Sequence, residues 1–191
     1  AQKIKSILAD YSPKMEPAPP GFRAASVLIP FYSRTDDLSL IFMKRPDYPG
    51  AHGGQISFPG GGIDEKDEDN LSAALRETEE EIGVNRNVVE VWGGLNTKHT
   101  RVSKYWVTPF VGRVPYPYDF DLCEKEVERL LIIPFSHLLD PKTFSVDSYN
   151  WKGYDFQTYI YKCGEDIIWG LTARILNNFI SLLTQGRESD A

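Results

Sequence analysis

Sulfur is scarce in this chain of 191 residues, which holds two cysteines and two methionines. Cys123 and Cys163 lack the paired spacing of a zinc site or a disulfide scaffold, so they read as packing residues in a reducing setting. Positive charge is also short: 21 Lys and Arg face 27 Asp and Glu, a formal charge of −6. A nucleic-acid binder usually presents a basic surface, so no nucleic-acid partner is expected. No apolar run reaches the length of a membrane span, and the first residues lack a signal peptide's apolar core. The expected setting is the cytoplasm, with no membrane partner. No internal repeat is present, and nothing in the sequence fixes an oligomeric state.

What is there suits one globular core. At 41% hydrophobic and 25% charged residues the composition is that of an ordinary soluble domain, and the length is short for two. Residues 1–10 form a short helix using Ile4 and Leu8, after which Pro13, Pro17, Pro19 and Pro20 impose an extended arm through residue 22. A single domain over 23–186 and a tail of 187–191 follow. Ala24 to Tyr32 and Leu38 to Lys44 read as an antiparallel hairpin, and Gln55 to Phe58 as a short strand. Val88 to Leu95 and Tyr105 to Val114 read as strands joined by a polar loop. Further strands are expected at Leu130 to Ile133, Phe144 to Val146 and Phe156 to Lys162. The spacing of Leu171, Ile175, Phe179, Leu182 and Leu183 predicts a long terminal helix. Strands interleaved with two substantial helices imply an α+β or α/β fold, with helices on both faces of a mixed sheet.

The most informative stretch runs from Gly62 to Val84. Leu71, Ala74, Leu75, Thr78 and Ile82 recur at helical spacing, with Asp69 or Asn70 as N-cap and Gly83 as the stop. At roughly 100° per residue, Glu77, Glu80 and Glu81 fall within about a third of the helix circumference. Like charges at that spacing cost a few tenths of a kcal/mol per pair, which a cation among them would relieve. A hard divalent ion is the natural occupant. Just before the helix, Pro59-Gly60-Gly61-Gly62 lets the backbone pass close to a ligand and offers carbonyl oxygens.

Gly62, Glu68, Arg76-Glu77, Glu80-Glu81, Gly83 and Val84 stand in the register of the Nudix box, and the chain resembles a Nudix hydrolase. The upstream segment IFMKRPDYPGAHGGQISFPGG is similar to that of coenzyme A pyrophosphatases, with Arg45, Gly54, Phe58, Pro59, Gly60 and Gly61 in register. Met43, Pro46 and Gly50 depart from it, and Gly50 stands where that subfamily has an arginine. Lys44, Arg45, Lys98, His99 and Arg101 are the candidates to replace that cation.

The resemblance implies a Nudix α/β/α sandwich and an enzyme that cleaves a diphosphate with Mg²⁺ or Mn²⁺. The implied substrate is a small nucleotide of the coenzyme A class, giving 3′,5′-ADP and 4′-phosphopantetheine. Glu77 and Glu81 are the expected metal ligands, joined by Gly61 and by Glu80, which either shares the shell or takes the water's proton. The catalytic set is Glu80, Arg76 and Glu126, with Arg76 fixing a glutamate rotamer and Glu126 reaching in from outside the helix. Arg45, His52, Phe58 and Gly60 are expected to bind substrate, and Tyr116, Tyr118, Trp151 and Tyr154 are candidates to stack on adenine. Two alternatives stay open: another nucleoside diphosphate derivative as substrate, or a Nudix module that binds a nucleotide without cutting it.

Overall fold

The hairpin expected from the first two apolar runs is the centre of the molecule. In this computed structural model, which describes residues 1–33, 38–47, 53–100, 103–151 and 154–185, the chain begins with α1 (Gln2–Asp10), β1 (Arg23–Tyr32) and β2 (Ser39–Lys44). Next come β3 (Ile56–Ser57), β4 (Gly60–Gly62), α2 (Asn70–Ile82), β5 (Glu90–Gly94), β6 (Lys98–His99) and β7 (Tyr105–Arg113). The remainder comprises β8 (Arg129–Pro134), α3 (Phe135–Leu138), β9 (Phe144–Trp151), β10 (Tyr154–Cys163), β11 (Asp166–Trp169) and α4 (Gly170–Gln185).

The main sheet follows the order β3-β2-β1-β7-β5, with β4 on β1, β6 on β7 and β8 on β2. β1 and β7 run parallel from Arg23 opposite Tyr105 to Phe31 opposite Arg113, and the other pairings are antiparallel, so the sheet is mixed. β1 and β2 pair only at Phe31 and Tyr32 and then diverge. β4 pairs with β1 on one side of the opening, and β3 pairs with β2 on the other. The glycine run read from the sequence as a close backbone approach is therefore a strand wedged against β1.

Period-two alternation sorts the side chains of β1 and β2 to two faces. Ile29, Phe31, Leu40 and Phe42 join Ile175, Leu176 and Phe179 of α4 and Ile4 and Leu8 of α1 in the larger core. On the opposite face, Leu28 meets Ala74 of α2, and Ile41 and Met43 meet Ile82 and Val84. Each such side chain contributes about 1.5–3 kcal/mol when buried, so the helices are held mainly by this packing. The result is a mixed α+β fold with helices on both faces of a mixed sheet. It adds elements to the expected list: the polar loop before Tyr105 contains β6, and β11 precedes the last helix, completing a second sheet in the order β11-β10-β9.

The caps of α2 are strong for so charged a segment. Asp69 accepts the Ser72 amide at 2.7 Å while its own N–H donates to Ser72 Oγ at 2.9 Å, a reciprocal capping box. Gly83 ends the helix in the left-handed region, at φ 71°. We expect Asp69→Ala to lose about 1 kcal/mol in urea unfolding, the cost of an orphaned N-terminus. An unchanged midpoint and slope would show that packing alone fixes the start of this helix.

Candidate active site

The three box glutamates do not share one environment. Helical rotation carries Glu81 onto the core side, where it is 2% exposed. The Gly60 N–H donates to its Oε2 at 2.7 Å and Arg45 Nη2 donates to its Oε1 at 3.0 Å. Glu80 points outward with its side chain 58% exposed, and Glu77 lies between them. Glu79 turns away from the group and pairs with Arg86 at 2.6 Å.

Arg76 binds the outer two together. Its Nη1 donates to Glu77 Oε1 and to Glu80 Oε2, both at 2.9 Å, and its Nη2 donates to the Gly62 carbonyl at 2.9 Å. On its other edge the guanidinium grips Asp67, Nε to Oδ1 at 2.8 Å and Nη2 to Oδ2 at 2.9 Å. This forked geometry is the strongest form of ion pair. The Asp67 carboxylate, only 3% exposed, is held below its ordinary range by Arg76. Asp67 was not among the expected site residues, because within the acidic run from Asp64 to Asp69 nothing separates it from solvated neighbours. Glu68, the box residue beside it, is exposed.

Two glycines make the approach of strand and helix possible. A Cβ on Gly60, where φ is 142°, would lie 2.5 Å from Val27 Cα in β1, and the shift needed to clear it would move the amide away from Glu81. A Cβ on Gly61 would sit inside the Glu77 carboxylate, 2.5 Å from its Cδ. The Glu77 side chain rests directly on the backbone of β4.

Burial of negative charge dominates the electrostatics. Desolvation pushes Glu81 up from 4.5 to about 7, outweighing the Gly60 amide and Arg45, with Glu77 and Glu126 adding repulsion. Withdrawing a carboxylate from water costs several kcal/mol, more than one amide and one guanidinium return. Glu77 is raised for the same first reason, opposed by Arg76 and reinforced by Glu80 and Glu126. Glu126 thus belongs to this group: it approaches Arg45 Nη1 at 3.9 Å from the segment before β8.

Five carboxylates, those of Asp67, Glu77, Glu80, Glu81 and Glu126, meet two guanidiniums here, and the glutamate oxygens suit a hard divalent cation. Without a Cβ at Gly61, the Glu77 carboxylate occupies that space and lies against the strand backbone. Among the described residues no three acidic, imidazole or thiol groups converge on one point, and the carboxylate oxygens are engaged by Arg45 and Arg76. Arg76 engages one oxygen of Glu77 and one of Glu80, and the second oxygen of each is the donor a metal would use.

Other expected site residues are placed differently. Phe58 does not face a site: it is 2% exposed and stacked on Phe42 with centroids 4.7 Å apart, so its hydrophobic ring is spent in the core rather than on substrate. The Gly60 amide is taken up by Glu81 and is not free for a substrate. Tyr118 secures the turn after α2, donating to the Gly83 carbonyl at 3.1 Å and accepting from the Asn85 amide at 2.8 Å. Tyr116 is exposed and tilts against Tyr32 at 5.1 Å. Lys44 pairs with Glu128 at 3.5 Å, and His99 stacks on Trp106 at 5.3 Å. His52, Gly50, Arg101 and the side chains of Trp151 and Tyr154 lie outside the described residues.

With this geometry in view, comparison with known proteins is decisive on the family. A model of the NUDIX domain matches residues 22–152. The chain belongs to the Nudix family. It is similar to the Nudix hydrolase NudL of Yersinia pestis (strain Pestoides F), 36% identical over 156 residues that make up 82% of this chain and 77% of that one. NudL of Yersinia pseudotuberculosis (serotype O:1b) is equally similar, at 36% over 156 residues and the same shares, 82% and 77%. Among solved structures, the fold resembles a C. elegans Ap4A hydrolase, with TM-score 0.50 and 20% identity over 59% of this chain and 80% of that one. It also resembles the Nudix hydrolase RenU from M. smegmatis, with TM-score 0.51 and 16% identity over 62% and 74%. These likenesses establish the Nudix fold. Nudix hydrolases are pyrophosphohydrolases of nucleoside diphosphate derivatives and generally use a divalent metal such as Mg²⁺ or Mn²⁺. No helix among the described residues is long and apolar enough to cross a membrane.

Because folding raises the Glu81 pKa, the metal-free native state retains a proton that the unfolded chain has released. Between pH 4.5 and about 7 its stability therefore falls as pH rises, by on the order of 3 kcal/mol in total. Melting curves in EDTA should show this slope in the wild type and a shallower one in Glu81→Gln. Equal slopes would mean that Glu81 is ionised throughout. Phe58→Leu should lower the melting temperature while leaving KM unchanged, and a raised KM at unchanged stability would restore Phe58 to the substrate site.

Proposed function

We propose that this chain hydrolyses the diphosphate bond of coenzyme A or its derivatives, giving 3′,5′-ADP and 4′-phosphopantetheine or its acyl form. The observation that carries the hydrolytic reading is the paired anchoring of Glu81 on the Gly60 amide and Glu77 on the Gly61 backbone. It sets two carboxylates one helical turn apart against a single strand. The choice of coenzyme A over ADP-ribose, a dinucleotide or a nucleoside triphosphate rests on the segment upstream, where Arg45, Gly54 and Phe58 to Gly61 keep the register of coenzyme A pyrophosphatases.

Glu77 and Glu81, with the Gly61 carbonyl and Glu80, are the residues that would hold Mg²⁺ or Mn²⁺. When bound, the ion would neutralise phosphate oxygens and lower the pKa of a water. Glu80, the most exposed of the three, is the group free to leave Arg76 and accept that water's proton. Arg76 keeps Glu77 in the rotamer that lies over Gly61, and Asp67 keeps Arg76 in place. Arg45 holds positive charge between Glu81 and Glu126, where the phosphates of a substrate would otherwise meet only carboxylates. The cytoplasmic pool of small nucleotides is the expected source of substrate.

Incubation with coenzyme A, NADH, ADP-ribose and dGTP in Mg²⁺ or Mn²⁺, with products resolved by chromatography, separates these substrates. Coenzyme A should give the highest kcat/KM, and preference for ADP-ribose or dGTP would refute the subfamily assignment. Glu77→Gln and Glu81→Gln should abolish turnover while remaining folded, and Glu80→Gln should lose roughly 10²- to 10⁴-fold in kcat if it is the general base. Turnover near the wild-type rate in Glu77→Gln and Glu81→Gln would reject the carboxylate site itself.

A further inference from the structure

Side-chain alternation along β7 sends Tyr105 and Val107 to the face covered by α4, where they join the larger core, and turns Trp106 and Thr108 to the face covered by α2. Thr108 bears this out, because its Oγ1 accepts from the side-chain amide of Asn70, the first residue of α2, at 3.2 Å. His99 stands directly opposite Trp106 in the pairing of β6 with β7 and so shares its face. The two rings are stacked, 15° apart in plane with centroids at 5.3 Å. Phe22 stands across both, at 90° and 6.0 Å to His99 and at 76° and 5.5 Å to Trp106. The indole N–H donates to the Glu16 carbonyl at 2.7 Å, which ties the ring to the proline-rich arm. All three rings are half-buried, so the cluster is fixed in place while part of its aromatic surface stays open to solvent.

The strand register puts this cluster beside the carboxylate site. Trp106 is opposite Ala24 of β1, and the Ala24 carbonyl accepts at 3.2 Å from the amide of Ile63, which directly follows the glycines on which Glu77 rests. Two strand spacings, roughly 10 Å, separate Trp106 from Ile63, and Ala24 between them raises no more than a methyl group from the sheet. A ribose and its first phosphate bridge a span of that order. Asn70 spends one amide N–H on Thr108, and its carbonyl oxygen and second N–H form the acceptor and donor pair that an amide presents to adenine. Tyr116 and Tyr118, expected from the sequence to meet adenine, gather instead around Tyr32 at the opposite end of β1.

We propose that the stacked pair of His99 and Trp106 is the platform for the adenine of the substrate, with Asn70 reading the edge of the base. This rests on the reading of the glutamates as a diphosphate site: with the diphosphate over Gly61 and Gly62, the ribose crosses Ala24 and the base arrives at the indole. A planar base gains from a π-face that an aliphatic chain cannot use in the same way. The platform therefore selects for the nucleoside end of the substrate and leaves the other end to other contacts. It also gives His99 a role other than the cationic one for which the sequence made it a candidate.

The test uses the full chain in EDTA with adenosine as probe, which carries the base but no phosphate for the carboxylates to repel, and follows binding by saturation-transfer NMR. Adenosine should bind and ribose should not. Trp106→Ala should weaken adenosine binding about tenfold, the usual worth of one stacked base, and His99→Ala should weaken it in the same direction. Trp106→Phe, which keeps a ring, should retain most of it, and Tyr116→Ala should leave it unchanged. Circular dichroism checks that the variants are folded, and Trp106→Leu replaces Trp106→Ala if that one is not. No binding of adenosine to the wild type, equal binding of ribose, undiminished binding to the folded Trp106 variant, or loss of binding in Tyr116→Ala would each overturn the platform. With Mg²⁺ and coenzyme A, Trp106→Ala should raise KM by more than it lowers kcat, whereas a fall in kcat at unchanged KM would show a ring that only supports the fold. Because the adenosine arm needs no turnover, a wild type that hydrolyses none of the diphosphates would refute the hydrolase reading and leave the binding result standing.

Discussion

The innermost tie of the candidate active site is one hydrogen bond, from the backbone amide of Gly60 to the buried carboxylate of Glu81. It joins the last turn of α2 to a strand that is itself clamped to the middle of the sheet, and so fixes the distance between helix and glycine strand. The carboxylate is there against its own hydration, and the amide with Arg45 only partly offsets that loss. What keeps it in place is the sheet: β4 cannot retreat without giving up its pairing with β1, and β1 cannot shift without disturbing its nine-residue parallel register with β7.

The two arginines serve the same end. Arg45 stands between Glu81 and Glu126, and Arg76 among Asp67, Glu77 and Glu80. Each supplies charge that a concentration of carboxylates requires in order to fold at all. They differ in permanence. Arg76 is held by both oxygens of Asp67 and by a backbone carbonyl, so it remains fixed even if Glu80 departs, whereas among the described residues the far side of Arg45 meets a half-exposed glutamate.

Much of this was legible in the residues. The caps of α2, the hairpin, the terminal helix and the nearness of Arg76, Glu77 and Glu80 on one helix follow from spacing and residue type, whereas Arg45, expected from the resemblance to bind substrate, pairs with Glu81 and Glu126. The depth of each glutamate was not, because rotation about a helix axis specifies which residues are neighbours and leaves open which of them meets a strand. Asp67 escaped notice because its burial depends on a loop conformation that local sequence does not encode. Phe58 misled for the opposite reason: it neighbours the glycines in the chain, yet strand alternation turns its ring to the far face, onto Phe42. β6, β11 and the full extent of β9 and β10 were missed or shortened because short, polar or charged strands acquire their order from pairing rather than from composition.

The contact between Glu77 and the bare backbone of Gly61 bears on how sequences of this kind are to be read. One methyl group at position 61 would evict the carboxylate while leaving every acidic residue of the motif in its written place. Homologues that differ only there would look intact to any inventory of glutamates, yet their Glu77 could not lie on the strand as it does here. The glycine is as much a determinant of where that carboxylate lies as the helix is, although it contributes no side-chain atom of its own.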